Sequence, residues 1–419
     1  MGSTSSREAP DPDTGQTHLP PQREARTTRS KLIHLTRAVN KFSVFLYQEL
    51  AKDGKKPGNL LVCPLGVSLG LALLLLGAES KSRDELWRTM YLQEVVDNQD
   101  LMAPFAAMHW DTLMSNVPKG CIVEMAVRLF VPSGVTMTHD YEDVCTQFEI
   151  TKMHNVDFVN RHDLARKEIN QWVQERTHGI VQDVIPPTSI VNRDTRLLLL
   201  CVTHVKVRWR HTFISSKTTK APFYLALKET LQVHMMHQKC ELNYGTSDKL
   251  DCDIVEMPFE NQYTKMYIFL PRKKDGLSKL EKGLARSMLE QTIDDMVPEM
   301  VELFLPRFQF ASSVQLNDKL QSLGIRDIFS QSKADLSFLS AEKLHVSSVY
   351  HHVHIEYEEC ESCNASSSNI AHLSVPSHNP TEPHDVKKFK ADHPFMFLIR
   401  DIRTGSMWML GRVVRPEVA

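Results

Sequence analysis

Apolar residues recur at helical spacing over 33–51, where Leu35, Val39, Phe42, Phe45, Leu46 and Leu50 share one side, so this stretch predicts an amphipathic helix. Leu60–Ala78 is a run of 19 residues without a charge, interrupted by Pro64, Gly66 and Gly70. It reads as a buried strand followed by a core helix; with those breakers and no flanking aromatic belt, a membrane span is the poorer fit. Residues 120–132 alternate and then run apolar, as a strand does. Ala165–Thr177, closed by Gly179, reads as a helix, and Thr195–Trp209 as a long strand. Three further strands are expected at Val233–Gln238, Val255–Phe259 and Met266–Pro271. A helix follows over Gly276–Leu289, a strand over Val301–Phe308, a helix with a glycine stop over Leu316–Phe329, and a strand over Leu344–Ile355. Phe395–Ile399 and Met407–Val413 flank Arg403-Thr-Gly405 and predict a hairpin.

One segment has no apolar period. From Ala371 to Lys388 the chain carries Pro376, Pro380 and Pro383 and reads as an exposed loop. It follows an acidic patch at Glu356–Glu361 and a run of small polar residues, Ser362–Asn369.

The 419 residues show no mid-chain linker, so one large domain is expected over 31–419. The net charge is −2, without a basic stripe, and nucleic acid is not an expected partner. Eight scattered cysteines read as reduced, small apolar residues and not as a disulfide framework. Cys360-x-x-Cys363 has no second Cys or His pair, and His372, His378 and His384 are six residues apart in a loop. No metal, cofactor or catalytic group is expected from these. Residues 1–30 are polar and charged, predict a disordered tail and lack the apolar core of a secretory signal. A cytoplasmic location follows as an expectation; an incomplete N terminus or unconventional export would make it extracellular. Met1–Ser6 also fits the loose myristoylation pattern at Gly2. Gly66-Val-Ser68-Leu-Gly70 spells the hydrolase elbow G-x-S-x-G, but the apolar run behind it places Ser68 on a buried helix.

Several ordered motifs carry a resemblance. The ending Phe389-Lys-Ala-Asp-His-Pro-Phe395…Gly411-Arg-Val413 closes the exposed loop. Ile169-Asn-Gln-Trp172-Val, Thr177, Gly179, Thr195-Arg196, Trp209 and Leu305-Pro-Arg-Phe308 precede it in order. Over about residues 32–416 the chain resembles a serpin. The resemblance implies an α+β fold of three sheets and eight or nine helices, a reactive loop at about 358–388, and a monomeric protease inhibitor instead of an enzyme. In such a protein the loop is cut as bait and then enters the central sheet as a new strand.

The resemblance also sets expectations for single residues. The hinge of the loop would be Glu359, Glu361, Ser362, Asn364 and Ala365. Ser362 and the small residues after it suit insertion. Glu361 stands where the family has glycine, and Asn364 adds an amide that needs a partner once buried. The sheet-opening region would comprise Cys63 and Gly66, where the family has serines, Cys201, where it has asparagine, and His351. Val207 replaces a glycine of the family pattern. Counting places the bait at Val375-Pro376, whose proline resists cleavage; Leu373-Ser374 is chemically better. No Lys or Arg occurs between Ile355 and Lys387, which points to a chymotrypsin-like or elastase-like serine protease and away from trypsin-like ones. The unorthodox hinge leaves a second reading open: a non-inhibitory binding protein or protease substrate. Asn364-Ala-Ser366 is a glycosylation sequon that matters only after export.

Overall fold

The computed structural model describes residues 22–52, 58–95, 102–114, 121–147, 153–187, 191–226, 229–358 and 386–416. In chain order these hold α1 (Gln22–Ala51), β1 (Leu60–Val62), α2 (Pro64–Gly77), α3 (Ser80–Thr89), α4 (Met102–Met114), β2 (Cys121–Pro132), α5 (His139–Gln147), β3 (His154–Val156), α6 (Phe158–Arg176) and β4 (Leu198–Arg208). Then come β5 (Thr219–Ala226), β6 (Glu229–Ser247), β7 (Cys252–Pro258), β8 (Thr264–Pro271), α7 (Leu277–Gly283), α8 (Arg286–Asp294), β9 (Val297–Pro306), β10 (Phe310–Gln315) and α9 (Asn317–Leu323). The chain ends with β11 (Ser348–Glu358), β12 (Lys387–Lys390), β13 (Phe395–Asp401) and β14 (Met407–Val413).

Two sheets organise the chain. The five-stranded sheet has the order β10-β11-β4-β2-β3. The other runs β1-β14-β13-β8-β7-β6-β9-β12, with β5 also on β6. Two of the three expected sheets thus join through β6, which is 19 residues long. Its first part pairs with β5, Met235–Tyr244 pairs with β9, and Tyr244–Ser247 pairs with β7.

The uncharged run resolves as expected into a buried strand and a helix that is buried on nearly all sides. Within the described residues, no helix is long and apolar enough to cross a membrane. Ser68 is fully buried in α2, so it cannot present a nucleophile at a strand–helix elbow. The helix expected over Leu316–Phe329 is shorter: α9 stops at Leu323, where Gly324 takes φ 122°, the conformation that glycine accepts without a Cβ clash, and Asp327–Phe329 form a separate 3-10 turn. Two further local readings need correction. The helix expected over Gly276–Leu289 breaks into α7 and α8, because Leu284 and Ala285 are extended. Helix α1 begins at Gln22, inside the stretch read as a disordered tail; residues 1–21 lie outside the described ones. Cys63, Cys145, Cys201, Cys240 and Cys252 are unpaired, and burial pushes their thiols up, Cys145 to about 11 and Cys252 to about 12. They act as small apolar residues, as expected.

Buried side chains lie on both faces of the five-stranded sheet. Leu199, Cys201, Val205, Val349, Val353 and Ile355 join the main core with α1 and α2. Leu198, Leu200, Val202 and Tyr350 face the other way, beneath Ile169 and Val173 of α6.

Candidate functional site

The central pair of this sheet, β4 and β11, is parallel and in unbroken register over 11 residue pairs, from Ser348↔Leu198 to Glu358↔Arg208. Parallel strands require a long crossover, and the first half of β4, Leu198–Val202, is a continuous apolar run because both of its faces are covered. Strand β11 ends at Glu358, and the expected reactive loop begins with the next residue.

Three of the four residues predicted for sheet opening meet at one level of this seam. His351 and Cys201 are register partners. The Cys63 amide, at the entry to α2, donates to His351 Nε2 at 3.0 Å. Nε2 must therefore be unprotonated, and the imidazole is the neutral Nδ1–H tautomer. His351 is 1% exposed, and burial, helped by the neighbouring His352, pushes its pKa down to about 3. Gly66 sits one turn into α2 against β4: a Cβ there would lie 3.2 Å from Thr203 Oγ1 and 3.6 Å from Cys63 Sγ. Gly70 lets α2 approach more closely still, with a hypothetical Cβ 2.8 Å from Cys201 Sγ. Within the described residues the buried Thr203 Oγ1 has no hydrogen-bond partner. A soft, largely apolar contact therefore holds this level, with one imidazole–amide hydrogen bond.

The loop-exit end is aromatic. Trp209 stacks on Phe259 at 4.9 Å and meets Tyr357 at 5.4 Å and Phe213 edge-on at 6.3 Å. Tyr357 meets Phe308 at 4.9 Å, and Phe308 reaches Phe395 and Phe397 of the other sheet at 5.6 Å. Sequence reading caught Trp209 and Phe308 as motif residues but missed Tyr357, which period-2 alternation on β11 places on the same face as His351. The hinge residues Glu359, Glu361, Ser362, Asn364 and Ala365, the bait candidates Leu373, Ser374, Val375 and Pro376, the pair Cys360 and Cys363, and Gly2 all lie outside the described residues.

Residues 37–416 match the sequence profile of the serpin (serine protease inhibitor) family. The chain belongs to the serpin family. Among its relatives, a mouse protein named leukocyte elastase inhibitor A is 32% identical over 390 residues, covering 91% of this chain and 99% of that one. Bovine antithrombin-III is 29% identical and covers 93% of this serpin and 83% of its own length. The solved structure of uncleaved ovalbumin superposes with a TM-score of 0.80 at 25% identity, over 90% of this serpin and 99% of ovalbumin. Maspin superposes with a TM-score of 0.81 at 24% identity, over 92% of this serpin and all of maspin.

Proposed function

We propose that this serpin is a suicide inhibitor of a chymotrypsin-like or elastase-like serine protease. The loop is cut within 373–376, and its N-terminal part enters between β4 and β11. The parallel β4–β11 pair, with β11 ending where the expected loop begins in sequence, carries this reading. A strand that turns back after Glu358 runs antiparallel to both neighbours. It replaces one parallel ladder with two antiparallel ones, the slightly stronger pairing per residue.

The hinge sequence is compatible with that slot when its alternation is followed. In an inserted strand Ser362, Asn364, Ser366 and Ser368 share one face, and Glu359, Glu361, Cys363 and Ala365 share the other. The seam is also two-faced at its loop-exit half. Val205, Val207 and Ile355 lie on the core side, and His204, His354 and Glu356 on the outer side. A register with the small residues inward keeps both carboxylates out of the apolar core, where an unpaired charge is costly. The absence of Lys and Arg from 356–386 favours a protease with an apolar pocket, with Leu373 as bait. The name of the mouse relative, an elastase inhibitor, supports the same class.

Glu361 and Asn364 are the specific features behind a second reading, a serpin fold whose loop is cut but stays outside. One experiment separates the two. The protein is cut once within 365–380 by elastase or chymotrypsin, its melting temperature is measured before and after, and the mixture is run on a denaturing gel. A rise of tens of degrees with a covalent protease band supports the inhibitor. An unchanged melting temperature with cleaved protein alone supports the second reading.

A further inference from the structure

On the outer face of the five-stranded sheet a histidine cluster spans the same seam. His204 on β4 and His354 on β11 are register partners, with rings stacked at 5.5 Å and 16°. Glu356, two residues along β11, lies on the same face and reaches back. Its Oε1 is 3.5 Å from His354 Nδ1 and 3.7 Å from His204 Nε2. The other nitrogen of His204, Nδ1, is 3.3 Å from Glu124 Oε2 on β2. The second oxygen of Glu124 is 3.0 Å from His178 Nε2.

Three features of this cluster point to a cation. First, a carboxylate on Nδ1 of His204 holds the proton there and leaves the Nε2 lone pair free, the arrangement by which outer carboxylates orient metal-binding imidazoles. Second, the His204 side chain is 2% exposed, and among the described residues neither its Nε2 nor His354 Nδ1 has a hydrogen-bond partner. Buried nitrogens are seldom left in that condition. Third, the spacing is close to that of a coordination shell. All three ligand atoms lie within 4.8 Å of one another. Bonds of about 2.0–2.1 Å in tetrahedral geometry put ligand atoms roughly 3.4 Å apart. Glu356 already meets that spacing to both imidazoles within a few tenths of an ångström.

We propose that His204 Nε2, His354 Nδ1 and a Glu356 carboxylate oxygen bind one divalent transition-metal ion, with Zn2+ the best match to a two-imidazole, one-carboxylate set. Water takes the fourth position, since Glu356 keeps the site in contact with solvent. The ion ties β4 to β11. Under the insertion reading above, on which this clause rests, it holds closed the seam that the loop must enter.

The test uses the full uncleaved chain, stripped with chelator and titrated with ZnCl2 by calorimetry, and with CoCl2 by visible absorption. The expected result is one equivalent bound at micromolar or lower concentration, with the absorption bands of tetrahedral Co2+. His354→Ala and Glu356→Gln abolish this site, Glu124→Gln weakens it by about 10–100-fold, and Cys360→Ser/Cys363→Ser leaves it intact. Glu356 is partly exposed, so its variant keeps the fold if the histidine variant does not. Amide exchange across 201–207 and 350–356 should slow on adding Zn2+ before any cleavage. That readout stands whether or not the loop ever inserts, so failure of the inhibitor reading and failure of the metal site remain distinguishable. Binding that survives both His354→Ala and Glu356→Gln, or no binding to native protein at 100-fold higher Zn2+, overturns the proposal.

Discussion

Replacing His351 with glutamine should flatten the acid side of the stability profile. In the folded protein the imidazole is buried, accepts from the Cys63 amide and holds a pKa of about 3. In the unfolded chain it titrates near 6.5. Between these values the unfolded state binds the extra proton, so stability increases with pH across the window. His351 contributes fully above about pH 6.5, and its contribution is lost as pH falls toward 3. At pH 5 the loss is about 1.5 pH units at 1.36 kcal/mol each, roughly 2 kcal/mol from this one group. That is a sizeable part of a typical 5–15 kcal/mol stability. His351→Gln keeps an acceptor for the amide and removes the titration. Urea unfolding at pH 8.0 and 5.0 should therefore show the wild type losing about 2 kcal/mol more than the variant on acidification. Proton NMR of the histidine ring should show no titration of His351 above pH 5. Equal acid losses in the two proteins, or a His351 resonance that titrates near pH 6.5, would rule out a neutral, buried His351 as the source of the acid sensitivity.

Three further expectations follow from the packing and the loop. Arg412 Nη1 lies 3.1 and 3.2 Å from the two Glu281 oxygens, Arg412 Nε donates to Gly58 O at 2.8 Å, and Tyr47 donates to Glu281 at 2.8 Å. Arg412→Met strands this buried carboxylate and should cost about 3–5 kcal/mol by urea unfolding, with Arg412→Met/Glu281→Gln recovering much of it. Gly70→Ala places a Cβ 2.8 Å from Cys201 Sγ and 3.0 Å from Leu199 Cδ1, and should cost about 1–3 kcal/mol in the same assay. Leu373→Arg should move loop cleavage from chymotrypsin to trypsin, read by mass spectrometry of the fragments; a cut elsewhere in 365–380 would remove Leu373 as the bait.

The fold was legible because strands in both sheets contain uninterrupted apolar runs and most helices are periodic. Leu198–Val202 and Met407–Leu410 have no polar interruption until Thr203 and Gly411. The break between α7 and α8 was hidden because neither Leu284 nor Ala285 is a helix breaker, although Gly283 just ahead of them is a turn signal. The polar N-terminal half of α1 carries no apolar face, so its helicity left no periodic mark. At the site, the meeting of Cys63, Cys201 and His351 was legible only through the family resemblance, because contacts between residues so distant in sequence are not encoded in spacing. The alternation His352-Val-His354-Ile-Glu356 did mark one strand face as polar. Its partner His204 could not be named without the β4–β11 register, and Glu124 needed the β2–β4 register as well.

Under the proposed insertion, that register also orders the obstacles to an entering strand. The outermost pair is Glu358↔Arg208, beside the Trp209–Tyr357 aromatic contact. Four pairs deeper is His354↔His204, and three deeper again is His351↔Cys201 with the Cys63 amide. The three levels resist by different physics. The first is non-directional apolar packing, which can be exchanged for packing against a small-residue hinge. The second is polar and lies on the outer face, so its strength can change without touching the core. The third is a buried hydrogen bond whose loss leaves an amide without a partner, at about 1–3 kcal/mol. A strand coming from Glu358 meets them in that sequence. Partial entry therefore requires only the aromatic contact to give way, whereas full entry must release His351 from Cys63. Loosening Trp209 should favour short insertions, and loosening His351 should favour complete ones.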